Sequence, residues 1–206
     1  MSKYVTKTYE IQEDLQDVCV AVCDANVTIK TAEAERCTVS CREKARRPHA
    51  VKVENGSLVI TYAKKRKWYH LLHMSCSLPQ IEICLPKAAY GTVTVKNVTG
   101  KRTLTDLNCQ ALELRGTTGA VTLSNVIADG DICIRHTTGK VVLNDCDANA
   151  LSVKVTTGGV CGRLLSDKIF TAKATTGKIS VPNPSSGGVC KIKTTTGSIK
   201  FEHPPR

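Results

Sequence analysis

Aromatic side chains are scarce in this chain, at 4% of residues, although hydrophobic residues as a class reach 41%. That balance excludes a bulky aromatic centre and favours thin layers of Val, Ile, Leu and Thr. No run of 18 or more apolar residues occurs, so no segment reads as a membrane-spanning helix. The first residues, Met1-Ser2-Lys3-Tyr4-Val5-Thr6-Lys7, lack the apolar core of a signal peptide and pass straight into strand-like alternation. On that reading the chain is cytoplasmic, and a trimmed, envelope-associated ectodomain would read the same way. Acidic residues are also short, 18 against 29 Lys and Arg, which leaves a formal charge of +11 over 206 residues. Such a surplus makes polyanions the first partners to consider.

Cysteine is the exception to this scarcity. The 11 cysteines are odd in number, so they cannot all pair within one chain. Two spacings, Cys19-x3-Cys23 and Cys37-x3-Cys41, suggest a metal site at first sight. On an extended strand, residues four apart lie roughly 13 Å from each other, too far for one zinc ion. Cys37, Val39 and Cys41 therefore read as small buried hydrophobes, and the cysteines as reduced thiols. Five of the others, Cys76, Cys84, Cys109, Cys146 and Cys161, follow no usable pattern.

What the chain has in abundance is one turn. Thr-Thr-Gly recurs at 117–119, 137–139, 156–158, 175–177 and 195–197, with Val98-Thr99-Gly100 as a worn copy, and the intervals between glycines are 19, 20, 19, 19 and 20 residues. So tight a period marks a repeat architecture. Seven and five residues before each glycine stand Val93 and Val95, Leu112 and Leu114, Ile132 and Ile134, Leu151 and Val153, Phe170 and Ala172, Cys190 and Ile192. After the glycine come Val121 and Leu123, Val141 and Leu143, Ile179 and Val181, Ile199 and Phe201. Both flanks alternate with period two, as strands with one buried face do.

A meander of hairpins does not require identical turns at constant length. A β-solenoid does, because a coil of the wrong length breaks the register of its neighbours. The expectation is therefore an all-β, right-handed parallel β-solenoid of 19–20 residues per coil. The glycines form one corner, and Asp106, Asn125, Asp145 and Asn183, interrupted by Leu164, form the opposite one. We expect a single domain over 1–206. Residues 1–90 are irregular coils or a cap, with Asn55-Gly56 as a turn, 91–201 are the regular coils, and 202–206 are a tail whose Pro204 and Pro205 blunt the last edge.

These repeats, with "KRKWYHLL" before "IEICLP" and "GRLLSDKIFTAKATTGKISVP" running into "SSGGVCKIKTTTGSIKF", resemble a bacterial adhesin-like family of toast-rack β-strand repeats, a domain of unknown function. The resemblance covers nearly the whole chain and implies an all-β solenoid-like fold without established catalysis. Family repeats commonly carry an acid after the glycine. Here that position is Lys101, Ala120, Lys140, Gly159, Lys178 and Ser198, so the acidic column is lost.

Four residues before each glycine stand Lys96, Arg115, Arg135, Lys154, Lys173 and Lys193, all basic. Their parity is opposite to that of the inward residues, so a solenoid displays them as an outward ladder. That ladder is the candidate anion-binding site. Its candidate ligands are teichoic acid, acidic polysaccharide or nucleic acid, with an envelope protein as another possible partner. A second basic cluster, 42–47 and Lys64-Lys65-Arg66-Lys67, leads into Trp68 and Tyr69, which pack a loop over the coil or stack on single-stranded nucleic acid. His70, His73 and Cys76 have metal-like spacing but no fourth ligand.

Parallel β-helices also include polysaccharide-active enzymes, which makes a lyase or hydrolase the alternative. Asp129, Asp131, Asp145, Asp147 and Asp167 supply carboxylates, yet not in one repeated column, and no nucleophile elbow, P-loop or dinucleotide fingerprint occurs. The expectation is a non-enzymatic scaffold or binding module with no cofactor, no catalytic residues and no metal.

Overall fold

The computed structural model describes residues 4–62 and 77–204, and within them the regular structure is strand alone. The N-terminal part supplies β1 (Tyr4–Ile11), β2 (Asp17–Ala21), β3 (Asn26–Ala32), β4 (Cys37–Lys44), β5 (His49–Glu54), β6 (Ser57–Tyr62) and β7 (Gln80–Pro86). The repeats supply β8 (Ala89–Thr99), β9 (Arg102–Thr118), β10 (Val121–Thr138), β11 (Val141–Thr157), β12 (Val160–Leu164), β13 (Lys168–Thr176), β14 (Ile179–Ser180), β15 (Gly188–Thr196) and β16 (Ile199–Glu202). All sixteen join one hydrogen-bonded sheet system that does not close into a barrel.

Two parallel stacks run along it. In one, Val27, Arg102, Val121, Val141, Val160, Ile199 and Ile179 stand in register, one to a strand. In the other, Val18, Val93, Leu112, Ile132, Leu151, Cys190 and Phe170 do the same. Strands β9, β10 and β11 pass from the first stack to the second by bending at Asp106, Asn125 and Asp145, whose φ values are 55°, 52° and 52°. At three of its four positions the polar corner read from the sequence is thus a column of left-handed residues, the conformation Asn and Asp tolerate best among non-glycines, and Asn183 does not share it. Asn125 Nδ2 donates to Asp106 Oδ1 at 2.7 Å, linking two rungs of that column.

Beyond this corner a short third side turns Leu107 and Cys109, Val126 and Ala128, and Cys146 and Ala148 inward. Period-two scoring overlooked this side because each rung offers only two residues there. Full burial of one Val, Leu or Ile is worth roughly 1.5–3 kcal/mol, so every added rung contributes a cluster of such gains. The ten described cysteines form no disulfide, and burial pushes the thiols of Cys37 and Cys190 up to about 12. Thiols so protonated pack as hydrophobes and are poor nucleophiles.

The glycine corner continues the ladder. Gly100, Gly119, Gly139, Gly158 and Gly197 each donate a backbone N–H to the threonine carbonyl of the next rung, at 2.7–3.1 Å. A Cβ on Gly139 would lie 1.8 Å from the Gly119 carbonyl oxygen, so the repeated glycine is required by the approach of backbone to backbone. The contact between rungs is made chiefly by backbone groups, with Thr194 Oγ1 adding a side-chain hydrogen bond to the Gly158 carbonyl at 3.1 Å.

Two expectations need correction. The stack is not in chain order. Strands β15 and β16 lie inside β13 and β14, so the last repeat is inserted between β11/β12 and the repeat that precedes it. Likewise β2 and β3 lie between β6/β7 and β8/β9. The edge is therefore not blunted by the tail at Pro204. It is formed by β13 and the two-residue β14, which stops at Val181-Pro182-Asn183-Pro184. Proline cannot donate to a ladder, so the proline-bearing repeat suits the outermost position and the proline-free one the interior. The second correction concerns 1–90. β1/β4, β4/β7 and β5/β6 pair antiparallel, so this end departs from a parallel coil. β5 and β6 are a hairpin turned at Asn55 and Gly56, both at positive φ, as the sequence suggested.

Candidate functional site

The six basic positions occupy one unbroken register: Lys96, Arg115, Arg135, Lys154, Lys193, Lys173. All six are exposed. Insertion of the last repeat places Lys193 before Lys173. With strands about 4.8 Å apart, the column runs for about 24 Å. Flanking it are the exposed Thr117, Thr137 and Thr156, and between the two columns runs a groove of about 600 Å³. Hydroxyls can accept or donate, so the groove combines fixed positive charge with adaptable hydrogen-bonding groups.

The charge along it is uneven. Glu113, one step away on β9, pairs with Arg115 and lies 3.9 Å from Lys96 Nζ. Among the described residues, Arg135, Lys154, Lys193 and Lys173 have no acidic partner within ion-pair distance. The exposed Lys101, Lys140 and Lys178, where the acidic column would stand, add further positive charge at the adjoining corner.

Beneath this face lies a buried polar cluster that the sequence reading missed. Arg102 occupies an inward position otherwise filled by Val and Ile, and it is 1% exposed. Its guanidinium fills the space left by Gly116, where a Cβ would lie 1.7 Å from Nη1. Nη2 lies 3.2 Å from His136 Nδ1, while Nε and Nη1 have no hydrogen-bond partner. Burial lowers the Arg102 pKa to about 10, which leaves it charged at neutral pH. The His136 ring, 2.6 Å from the Gly119 carbonyl through Nε2, is held below its ordinary pKa by burial and then by Arg102.

The sign of the resulting pH effect is fixed. A histidine whose folded pKa lies below the unfolded value contributes stability that is complete above about 6.5 and is lost progressively as pH falls from there through the folded pKa. Urea unfolding at pH 7.5, 6.5 and 5.5 should therefore show wild type losing more stability than His136→Gln as pH drops. Parallel losses would mean that His136 does not titrate between the two states.

The other candidates do not gather into a site. Asp145 is held by Arg163 at 2.6 Å, and Asp147 by Lys168 at 2.6 Å and Ser166 at 2.8 Å. Asp129 and Asp131 are exposed and take no part in these contacts. Of the second basic cluster, Arg42 and Lys44 lie over the Tyr4 ring, 5.3 and 6.0 Å from its centroid. Lys64 to Lys67, Trp68, Tyr69, His70, His73 and Cys76 lie outside the described residues.

The combination of recurrent Thr-Thr-Gly corners and stacked parallel strands agrees with one family model, Toastrack DUF4097, which matches residues 15–205. The chain belongs to the Toastrack DUF4097 family. No curated protein matches this Toastrack chain. Among solved structures it is similar to a "putative cell adhesion protein" from Clostridium sporogenes, at 12% identity and a TM-score of 0.58, covering 98% of this chain and 99% of that one. It is also similar to a "putative adhesin" from Bacteroides fragilis, at 15% identity and a TM-score of 0.51, covering 98% of each chain. Likenesses at such identities concern the Toastrack fold alone.

Proposed function

We propose that this Toastrack chain is a non-enzymatic, adhesin-like binding module that lays an anionic polymer along its basic ladder. The observation that carries the reading is the exposed register from Lys96 to Lys173, with four of its cations unpaired among the described residues. Like charges held a strand apart repel one another, and an anionic chain lying across them relieves that repulsion. The ligand class is a repeating polyanion: teichoic acid, acidic polysaccharide or nucleic acid. The adhesion names of two structural neighbours agree with a binding role. The dispersal of the aspartates argues against the polysaccharide-active enzyme. We also read the coils that follow one another in chain order, from β8 to β12, as right-handed and of 19–20 residues each; the last repeat steps back along the stack, yet its Lys193 keeps the ladder on one continuous side.

Titration with a single-stranded oligonucleotide, an acidic polysaccharide and a glycerol-phosphate polymer across a salt series tests the reading. Each displaced counterion contributes about 0.7–0.9 to the slope of log K on log salt. Four unpaired cations then give a slope near −3 and all six a slope of about −4 to −5. Absence of binding by all three polymers at low salt would refute the proposal.

A further inference from the structure

At the other end of the stack, β4 breaks its own pattern. Cys37, Val39 and Cys41 face inward as expected, but the next inward position is Glu43, a carboxylate with 0% exposure. Residues 45–48 return the chain so that His49, 3% exposed, begins β5 beside it. Glu43 Oε2 accepts the His49 backbone N–H at 2.6 Å and lies 2.8 Å from Nδ1 of the same residue. The His49 ring stacks on Tyr62 with centroids 4.8 Å apart, which fixes its plane. Two buried atoms remain without a hydrogen-bond partner, Glu43 Oε1 and His49 Nε2. Cys41 completes the group: one donor atom from each of Cys41, Glu43 and His49 lies within 4.8 Å of one from each of the others. Lys7 Nζ, reaching in from edge strand β1, is 3.4 Å from Glu43 Oε1, close enough for ion pairing but not aligned for a hydrogen bond.

A buried carboxylate requires a partner of opposite charge, and among the described residues Glu43 has the half-exposed Lys7 ammonium and the neighbouring His49 ring, which counts as a cation only when protonated. Nitrogen, sulfur and oxygen donors gathered within 4.8 Å of one another suit a borderline-soft ion. The hard cations Mg²⁺ and Ca²⁺ prefer oxygen alone. Tetrahedral zinc, with bonds of about 2.0–2.3 Å, holds its donors roughly 3.5 Å apart, so the wider separations close by up to about an ångström while the 2.8 Å Glu43–His49 contact opens to admit the ion. We infer that Cys41, Glu43 and His49 form a binding site for a divalent transition-metal ion of the zinc class, with water as the fourth ligand on the Lys7 side. Binding releases the Cys41 thiol proton to solvent and leaves every oxidation state unchanged. The same residue types could serve as nucleophile, base and orienting acid, but the Cys41 thiol is fully buried, an environment that disfavours a reactive thiolate. Cys37-x3-Cys41 remains too widely spaced for one ion. The site is made by Cys41 with Glu43 two residues on, and by a histidine from the next strand.

The test uses the full chain, reduced and stripped of metal, titrated with Co²⁺ as a spectroscopic probe and then with Zn²⁺ as competitor. One thiolate-to-cobalt charge-transfer band saturating near one equivalent is expected in wild type and in Cys190→Ala. Its loss is expected in Cys41→Ala and His49→Gln. No band in wild type, or an unchanged band in both variants, overturns the inference. Should the variants fail to fold, X-ray absorption of the zinc-loaded wild type decides. One sulfur with at least one imidazole supports the site, whereas no sulfur or two or more overturns it.

Discussion

Gly139→Ala is expected to destabilise the protein by about 3–5 kcal/mol, a fall in Tm of roughly 10 °C for a chain of this size. Gly139 has φ 141°, a conformation side-chain-bearing residues rarely adopt, and its added Cβ would meet the Gly119 carbonyl oxygen at 1.8 Å. Neither backbone can retreat freely, because Gly139 N–H is bonded to Thr157 O at 2.9 Å and Gly119 N–H to Thr138 O at 3.1 Å. Gly159→Ala is the control. Its Cβ would come no nearer than 3.2 Å to Ser198 O, and its φ is not positive, so a loss under about 1 kcal/mol is expected. Similar losses at both positions would mean that the corner column does not determine rung spacing.

Amide exchange should reveal the insertion of the last repeat. β15 is paired on both sides, with β11 and β13, so its amides from Cys190 to Thr196 belong to the stack interior. Among the described residues β13 pairs with β15 alone, which leaves alternate N–H groups of β13 unpaired by any described strand. Those edge amides should exchange at least about 100-fold faster than the amides of β15, since fraying at a sheet edge costs far less than opening the interior. A solenoid stacked in chain order gives the reverse, with the last repeat exchanging fastest.

Periodicity carried most of the fold. Inward pairs such as Leu112 and Leu114 or Val141 and Leu143 are buried as their spacing requires. The residues at the edge, Phe170, Ala172 and Ile179, are more exposed because no further rung covers them. Rung order was not legible from the period, because every repeat follows the same pattern and pairs acceptably with any other. What distinguishes them is the Pro182 and Pro184 pair, whereas the sequence reading gave the edge-blunting role to Pro204 and Pro205 of the tail. Arg102 was overlooked for a related reason. Counting apolar matches passes over one cation in a column of Val and Ile, and the space that admits it comes from Gly116, a rung away. Glu43 and His49 meet only through the 45–48 turn that carries the chain from β4 into β5, a tertiary approach that strand periodicity does not encode. The basic ladder, by contrast, follows from strand parity alone.

The measurement that bears most directly on the binding role compares two triple charge reversals for polyanion affinity at low salt. Arg135, Lys154 and Lys193 to Glu removes three adjacent unpaired cations of the ladder. Lys30, Lys52 and Lys87 to Glu changes net charge equally at exposed sites elsewhere. The ladder variant should lose affinity on the order of 30-fold or more and show a much shallower salt slope, the other no more than a few-fold. Equal losses from the two would contradict a ladder-borne site and leave net charge as the sole source of attraction.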